Sequence, residues 1–403
     1  MSFLNSKSSK LKNILFKVST VFFATFLTLV IVNFTLFHLI SNQNLPRPFA
    51  STLGNYLFTY YPDTYDRSTL NNYNAILGDS NAMGAGDGYL NNDYNYSVGH
   101  FLFKKNNENY LNYARSGYGS ISAVSNYIKL TRLEDHIFFK KKINKPSIIL
   151  FFFYEGNDLD ENLREFELTG KNFFNIKEYV KFKINKNITI NKKDIIEANF
   201  PLLNFFSSFK EHLINLSREE NILLGIKDRI KKIFGKRVIL ANKELIGNKK
   251  KSYWKNKTKK ENVKDIRPIE TAAGDLNFKQ INKSLEIFFE SILYLKTWEK
   301  KDNIKIIFLP SPATSYDWVD PINYYPRYSK GNLDFKIITK SKNMKNSTYV
   351  REKIDFFSRD NNIQFIDLTK KIQEETNTNV LHGPIDWVHF NLSGYEFIAK
   401  NIK

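Results

Sequence analysis

Residues 147–162 read SIILFFFYEGNDLDEN. Ser147–Phe153 is a short, uncharged run with no polar alternation, which predicts a strand buried on both faces. Gly156-Asn157-Asp158 then marks the turn that ends it. A strand buried on both sides needs helices above and below it, so the rest of the chain is read for matching strands and the helices between them.

Four other short apolar runs suit buried strands: Asn74–Gly78 (NAILG), Tyr110–Ala114 (YLNYA), Ile304–Leu309 (IKIIFL) and Ile363–Leu368 (IQFIDL). Helical patterns separate most of them. Ser120–His136 is one; Ile281–Lys300 is clearer, with Leu285, Phe288, Phe289, Ile292, Leu293 and Trp298 on one face. Strands alternating with helices predict an α/β domain with a parallel sheet covered on both sides.

The alternation breaks over 165–277, which is too long for a single crossover and reads as an insertion. Within it Ile222, Leu223, Ile226, Ile230, Ile233 and Phe234 form an apolar stripe, and Lys227, Arg229, Lys231 and Lys232 make the rest basic. That pattern suits a helix lying on the domain, or a helix lying on a membrane surface. Asn248–Lys264 (NKKKSYWKNKTKKENVK) reads as a solvated loop.

Composition limits the chemistry. The 403 residues include 35 Phe and 22 Tyr, enough to fill a large core, and no cysteine. Disulfides, thiolate metal sites, a cysteine nucleophile and a lipoprotein anchor are therefore excluded. The net charge of +19 invites a nucleic-acid reading, but no nucleic-acid fold motif accompanies it and no such partner is expected.

From Val18 to Ile40 the chain carries no formal charge. As a helix this run would extend about 35 Å, against a hydrocarbon core of ~30 Å. Lys7, Lys10, Lys12 and Lys17 precede it and only Arg47 follows closely, so the positive-inside bias puts the N-terminus in the cytoplasm. The expected organisation is a cytoplasmic basic tail (1–17), a transmembrane signal anchor (18–40), a linker (41–72) and an exported domain (73–403) interrupted by the insertion 165–277. The domain would be periplasmic or extracellular. A cleaved signal peptide is the alternative, but SNQNLPRPFA offers no small-x-small cleavage site.

Four segments could carry chemistry. In NAILGDSNAMGAGDG (Asn74–Gly88) an apolar strand ends at Gly78-Asp79-Ser80, placing Ser80 at the carboxyl end of a parallel strand, where open α/β sheets build their sites. Gly-Asp-Ser is equally an ordinary turn, and a phosphate loop is excluded because no Gly-Lys-Ser/Thr follows. In YLNYARSGYGS, Gly117 follows the second strand and lets a substrate approach the backbone N–H closely; a plain loop reads the same. Asn157 at the mouth of the third strand can present a side-chain N–H to a developing oxyanion, although Gly-Asn-Asp is also common in turns. In GPIDWVHFNLSGYEFIA, Asp386 and His389 are three apart, so one turn of chain brings carboxylate and imidazole together. The carboxylate fixes the tautomer and leaves the other ring nitrogen free to take a proton from a serine hydroxyl. A surface ion pair is the plainer reading. Ser393 and Glu396 form a capping-box pattern that predicts the start of the last helix. His382 has no acid at that spacing and reads as structural.

Taken in order, GDS, a glycine after the second strand, GND after the third and DxxH near the end resemble the SGNH (GDSL-like) hydrolases. The resemblance covers about 74–160 and 279–403. It implies a flavodoxin-like three-layer α/β/α domain with a five-stranded parallel sheet. It further implies Ser80 as nucleophile, His389 as general base, Asp386 as its orienting acid, and an oxyanion hole of the Ser80 and Gly117 N–H groups with the Asn157 side chain. Neither metal nor organic cofactor is implied. GND in place of G-x-N-D departs from the usual block, but a GNDL subset looks the same. The α/β-hydrolase pattern fits less well, since it expects G-x-S-x-G and an acid far from the histidine.

The expected activity is therefore that of a serine esterase on O-acyl groups of cell-surface polysaccharide or peptidoglycan, with the membrane engaged through the N-terminal helix. O-acyl transfer to the same glycans, hydrolysis of lipid or small esters, and a non-catalytic glycan-binding role are the alternatives.

Overall fold

A computed structural model describes residues 16–32, 61–62, 72–90, 97–136, 144–170, 172–199, 269–273, 276–300, 302–318, 320–324, 336–383, 386 and 388–402. The expected runs become strands β2 (Asn74–Leu77), β3 (Tyr110–Asn112), β4 (Ile149–Tyr154), β5 (Ile304–Leu309) and β8 (Gln364–Asp367). They form one parallel sheet in the order β3-β2-β4-β5-β8. A two-residue strand, β1 (Tyr61–Pro62), adds an antiparallel edge to β3. The longest pairing, Ile149↔Ile304 through Tyr154↔Leu309, joins the two most apolar strands.

Alternation along the strands divides the core into two layers. Ala75, Leu77, Phe151, Phe153, Ile306 and Phe308 face one layer. It is covered by helices α2 (Ser120–Leu133), α3 (Asp158–Thr169), α4 (Ile176–Asn187), α6 (Phe278–Glu299) and α7 (Lys340–Asp360). Ile76, Leu150, Phe152, Tyr154, Ile307 and Leu309 face the other, beneath α1 (Val98–Asn106), α8 (Thr369–Thr376) and α9 (Leu392–Asn401). A further helix, α5 (Lys192–Asn199), packs at the end of α2 through Leu133 and Ala198.

The apolar face read for 281–300 belongs to α6. Leu285, Phe288 and Ile292 are buried, and Phe289, Leu293 and Trp298 pack against the core half-buried. Asn277 and Gln280 cap its start reciprocally, which sets the N-terminus three residues before the expected one. Part of the expected insertion is core: α4 buries Ile176, Tyr179, Val180 and Ile184 against α2 and α6. Residues 200–268, with the stripe 222–234 and the basic run 248–264, lie outside the described residues.

A second small sheet pairs β6 (Ile322–Tyr324) with β7 (Lys336–Ile338), and Ile269 bridges to Tyr324. Its cluster of Tyr316, Trp318, Ile322 and Ile338 follows the end of β5, at the carboxyl end of the main sheet. Sequence periodicity gives no hint of it, because three-residue strands carry too little pattern.

At the N-terminus a helix covers 16–32, and residues 33–40 of the expected span lie outside the described residues. No described helix is long and apolar enough to cross a membrane.

Candidate active site

The strand order reverses at β2, so the chain leaves β2 and β4 in different directions and opens a crevice at their carboxyl ends. At the end of β2, Gly78 has φ +142°, and a Cβ there would lie 2.8 Å from the Phe152 carbonyl oxygen and 2.8 Å from the Ala82 Cβ. Only glycine allows this turn. The chain enters one turn of helix, Ser80–Met83, capped by Asp79, whose Oδ1 accepts from the N–H groups of Asn81 (2.9 Å) and Ala82 (3.3 Å). Asn112, at the end of β3, holds the turn from behind by donating to the Ala82 carbonyl at 2.9 Å.

Ser80 Oγ lies 2.8 Å from His389 Nε2, and His389 Nδ1 lies 2.6 Å from Asp386 Oδ2. The three side chains thus form one hydrogen-bonded line. A carboxylate can only accept, so Nδ1 carries the proton and Nε2 presents its lone pair to the serine hydroxyl. Burial works to raise the Asp386 carboxyl. The hydrogen bond and charge of His389, with N–H donation from Val388 (2.9 Å) and His389 (3.3 Å), outweigh it and hold the group below the ordinary carboxylate range.

Several contacts that short-range spacing does not announce hold this segment in place. Asp87 accepts from the Asp386 N–H at 2.8 Å, and the Tyr154 hydroxyl donates to the Val388 carbonyl at 3.1 Å. Gly86, with φ +128°, lets the chain pass; a Cβ there would lie 2.4 Å from the Phe390 carbonyl oxygen and 3.2 Å from His389 Cβ. The last helix starts at Leu392 with Asn391 as its cap, a correction to the Ser393–Glu396 capping box. Asn391 accepts from Gly394 N–H and donates to the carbonyls of Val380 and Gly383, ties to two loops that a serine hydroxyl could not make at once.

His382 is structural in its contacts. The Tyr316 hydroxyl accepts from the N–H groups of Leu381 (2.9 Å) and His382 (3.0 Å), so its own proton points to His382 Nδ1 at 3.0 Å. Burial pulls the His382 imidazole down to about 3, so the ring is neutral. Residue 382 bridges to Phe390, beside the base. The small sheet under Tyr316 therefore supports the segment that carries His389.

Gly117 follows β3 with φ +75°, and a Cβ there would meet nothing within 4 Å. Asn157 follows β4 and is 2% exposed. Its side-chain oxygen is buried without a hydrogen-bond partner. Among the described residues the backbone N–H groups of Ser80 and Gly117 make no hydrogen bond either. The three groups stand at the carboxyl ends of the neighbouring strands β2, β3 and β4. Among the described residues no group of three or more His, Asp and Glu side chains is placed to hold a metal ion.

No family model, curated protein or solved structure matches the chain.

Proposed function

We propose that this chain is an SGNH-type serine esterase with a flavodoxin-like domain, acting on O-acyl groups of cell-surface glycans and held at the membrane by its N-terminal apolar segment. The observation that carries this reading is the line Ser80–His389–Asp386, with contacts of 2.8 and 2.6 Å. In the first half-reaction Ser80 Oγ attacks the ester carbonyl carbon while its proton passes to His389 Nε2. The tetrahedral oxyanion is taken up by N–H donors of Ser80, Gly117 and Asn157. Breakdown expels the alcohol, which takes the proton back from Nε2 and leaves an ester on Ser80. In the second half-reaction water loses a proton to His389, attacks that ester and releases the acid and free Ser80.

The burial of Asn157 at the mouth of β4 favours this assignment, since its side-chain N–H₂ can donate to an oxyanion that develops there. The apolar exposed residues of helix 16–32, such as Phe22 and Phe26, favour the membrane assignment. So do Thr20, Thr25 and Thr28, whose hydroxyls each donate to the carbonyl four residues back at 2.8 Å and so are satisfied within the helix.

The test is covalent labelling by a fluorophosphonate probe. Wild type is expected to be labelled and Ser80→Ala not, and equal labelling of both would place the nucleophile elsewhere. Asn157→Ala is expected to lower aryl acetate turnover by roughly 10²–10³-fold. Stoichiometric acylation of an added glycan would move the assignment from hydrolysis to transfer, since a sugar hydroxyl and water compete for the same acylated Ser80.

A further inference from the structure

A second concave surface lies between α4 and the last turns of α6, a groove of about 1080 Å³ lined by Lys145, Lys177, Lys181, Lys300, Tyr294 and Trp298. It sits at the end of the sheet opposite Ser80: Lys145 precedes β4 and Lys300 precedes β5, whereas Ser80 and Asn157 follow β2 and β4. The six residues of β4 put about 20 Å between the two ends.

The fold itself accounts for some of these cations. Lys296 and Lys300 stand at the carboxyl end of α6, where positive charge suits the helix dipole, and Lys296 pairs with Asp302 at 2.8 Å. Lys145 lies 3.7 Å from Glu299. No such account serves Lys177 and Lys181. Lys177 occupies the first turn of α4, where a cation is unfavourable, and repels Lys181 one turn on. Both are exposed, and neither is ion-paired among the described residues. The wall beside them is flat and partly apolar. Trp298 packs half-buried on the core, and Tyr294 is fixed by donating to Asn185 Oδ1 at 2.6 Å.

We propose that this groove binds a strand of acidic glycan, its carboxylates paired with Lys177, Lys181 and Lys300 and its sugar rings lying against Tyr294 and Trp298. Half-buried aromatic rings in the wall of a concave groove fit a polymer strand better than a flat headgroup layer, which would call for protruding apolar residues. Resting on the esterase reading, the groove also names the substrate class. By holding the polymer about 20 Å from Ser80 it would raise the local concentration of acyl groups without touching the reacting ester.

The experiment uses the full chain in non-ionic detergent and follows fluorescence anisotropy of labelled polygalacturonate, with neutral dextran as control. Lys177→Gln/Lys181→Gln is compared with Lys370→Gln/Lys371→Gln, which removes the same charge from α8. The expected result is affinity for polygalacturonate but not dextran, weakened about tenfold by the first pair with a shallower salt dependence, and unchanged by the second. Equal loss in both pairs, or no polygalacturonate binding, would overturn the proposal. Displacement by phosphatidylglycerol-doped micelles, with polygalacturonate binding unaffected by Lys177→Gln/Lys181→Gln, would assign the lysines to a membrane surface instead. Fluorophosphonate labelling of Ser80 is expected to be equal in all variants, so a failure of the esterase reading is separately visible.

Discussion

Asp386 shows how a single residue is set by its surroundings. Its carboxyl is held below the ordinary range, so the native state binds its proton less tightly than the unfolded chain does. The associated stability is present above the ordinary carboxylate pKa and is lost as pH falls through the lower native value. Asp386→Asn is therefore expected to lower Tm at neutral pH, with the gap to wild type closing as the solution is acidified below the carboxylate range. Scanning calorimetry across pH checks this. On the proposed mechanism the same substitution also lowers kcat by about 10³–10⁴-fold, because an amide can donate to Nδ1 and turn the imidazole to the wrong tautomer. A Tm gap that does not depend on pH would show that the carboxylate's charge contributes nothing to folding.

At the scale of elements, close approaches and buried hydrogen bonds decide where the strand ends point. Gly86→Ala would press a methyl to 2.4 Å from the Phe390 carbonyl oxygen, so the segment carrying His389 must shift. We expect a soluble protein of unchanged far-ultraviolet circular dichroism whose fluorophosphonate labelling is slowed at least tenfold. Unchanged labelling would mean that the segment yields without moving the base. Glu155, fully buried between the ends of β4 and β5, accepts from Ser311 N–H at 2.8 Å and from its hydroxyl at 2.9 Å. Burial raises its carboxyl above the ordinary range, against the hydrogen bonds that lower it. Its contribution to stability is full below the unfolded value and is lost as pH rises through the native one. Glu155→Gln keeps an acceptor for Ser311 without that loss, so its Tm is expected to equal or exceed that of wild type at neutral pH. Glu155→Ala orphans the Ser311 N–H and is expected to cost about 1–3 kcal/mol in urea denaturation.

For the whole molecule, the charge asymmetry around the apolar run predicts orientation. Four lysines precede Val18 and a single arginine follows closely, so the domain is expected outside the cytoplasm. A C-terminal alkaline phosphatase fusion should be active in cells, and a fluorescent cytoplasmic reporter at the same point should be dark. The reverse pattern would sink this topology and the envelope assignment with it.

The sequence alone determined the parallel sheet, because strands buried on both faces must be continuous apolar runs. Residues 149–154 stand out from any neighbour on that ground, and 304–309 follows with Lys305 as its one polar residue. It also determined the pairing of Asp386 with His389, which lie three residues apart on one turn of chain. Strand order, and with it the meeting of Ser80 and His389 across 309 residues, was decided only by the tertiary structure. So were the supports of the base. Tyr316, Asp87 and Tyr154 act through contacts 66, 299 and 234 residues away along the chain, and short three-residue strands carry no period from which such contacts could be read. The cap at Asn391 belongs to the same class, since its choice over Ser393 depends on the carbonyls of Val380 and Gly383, which only the folded chain brings within reach. Local periodicity records which face a residue buries; which element it is buried against is a property of packing, and packing exists only once the chain has closed on itself.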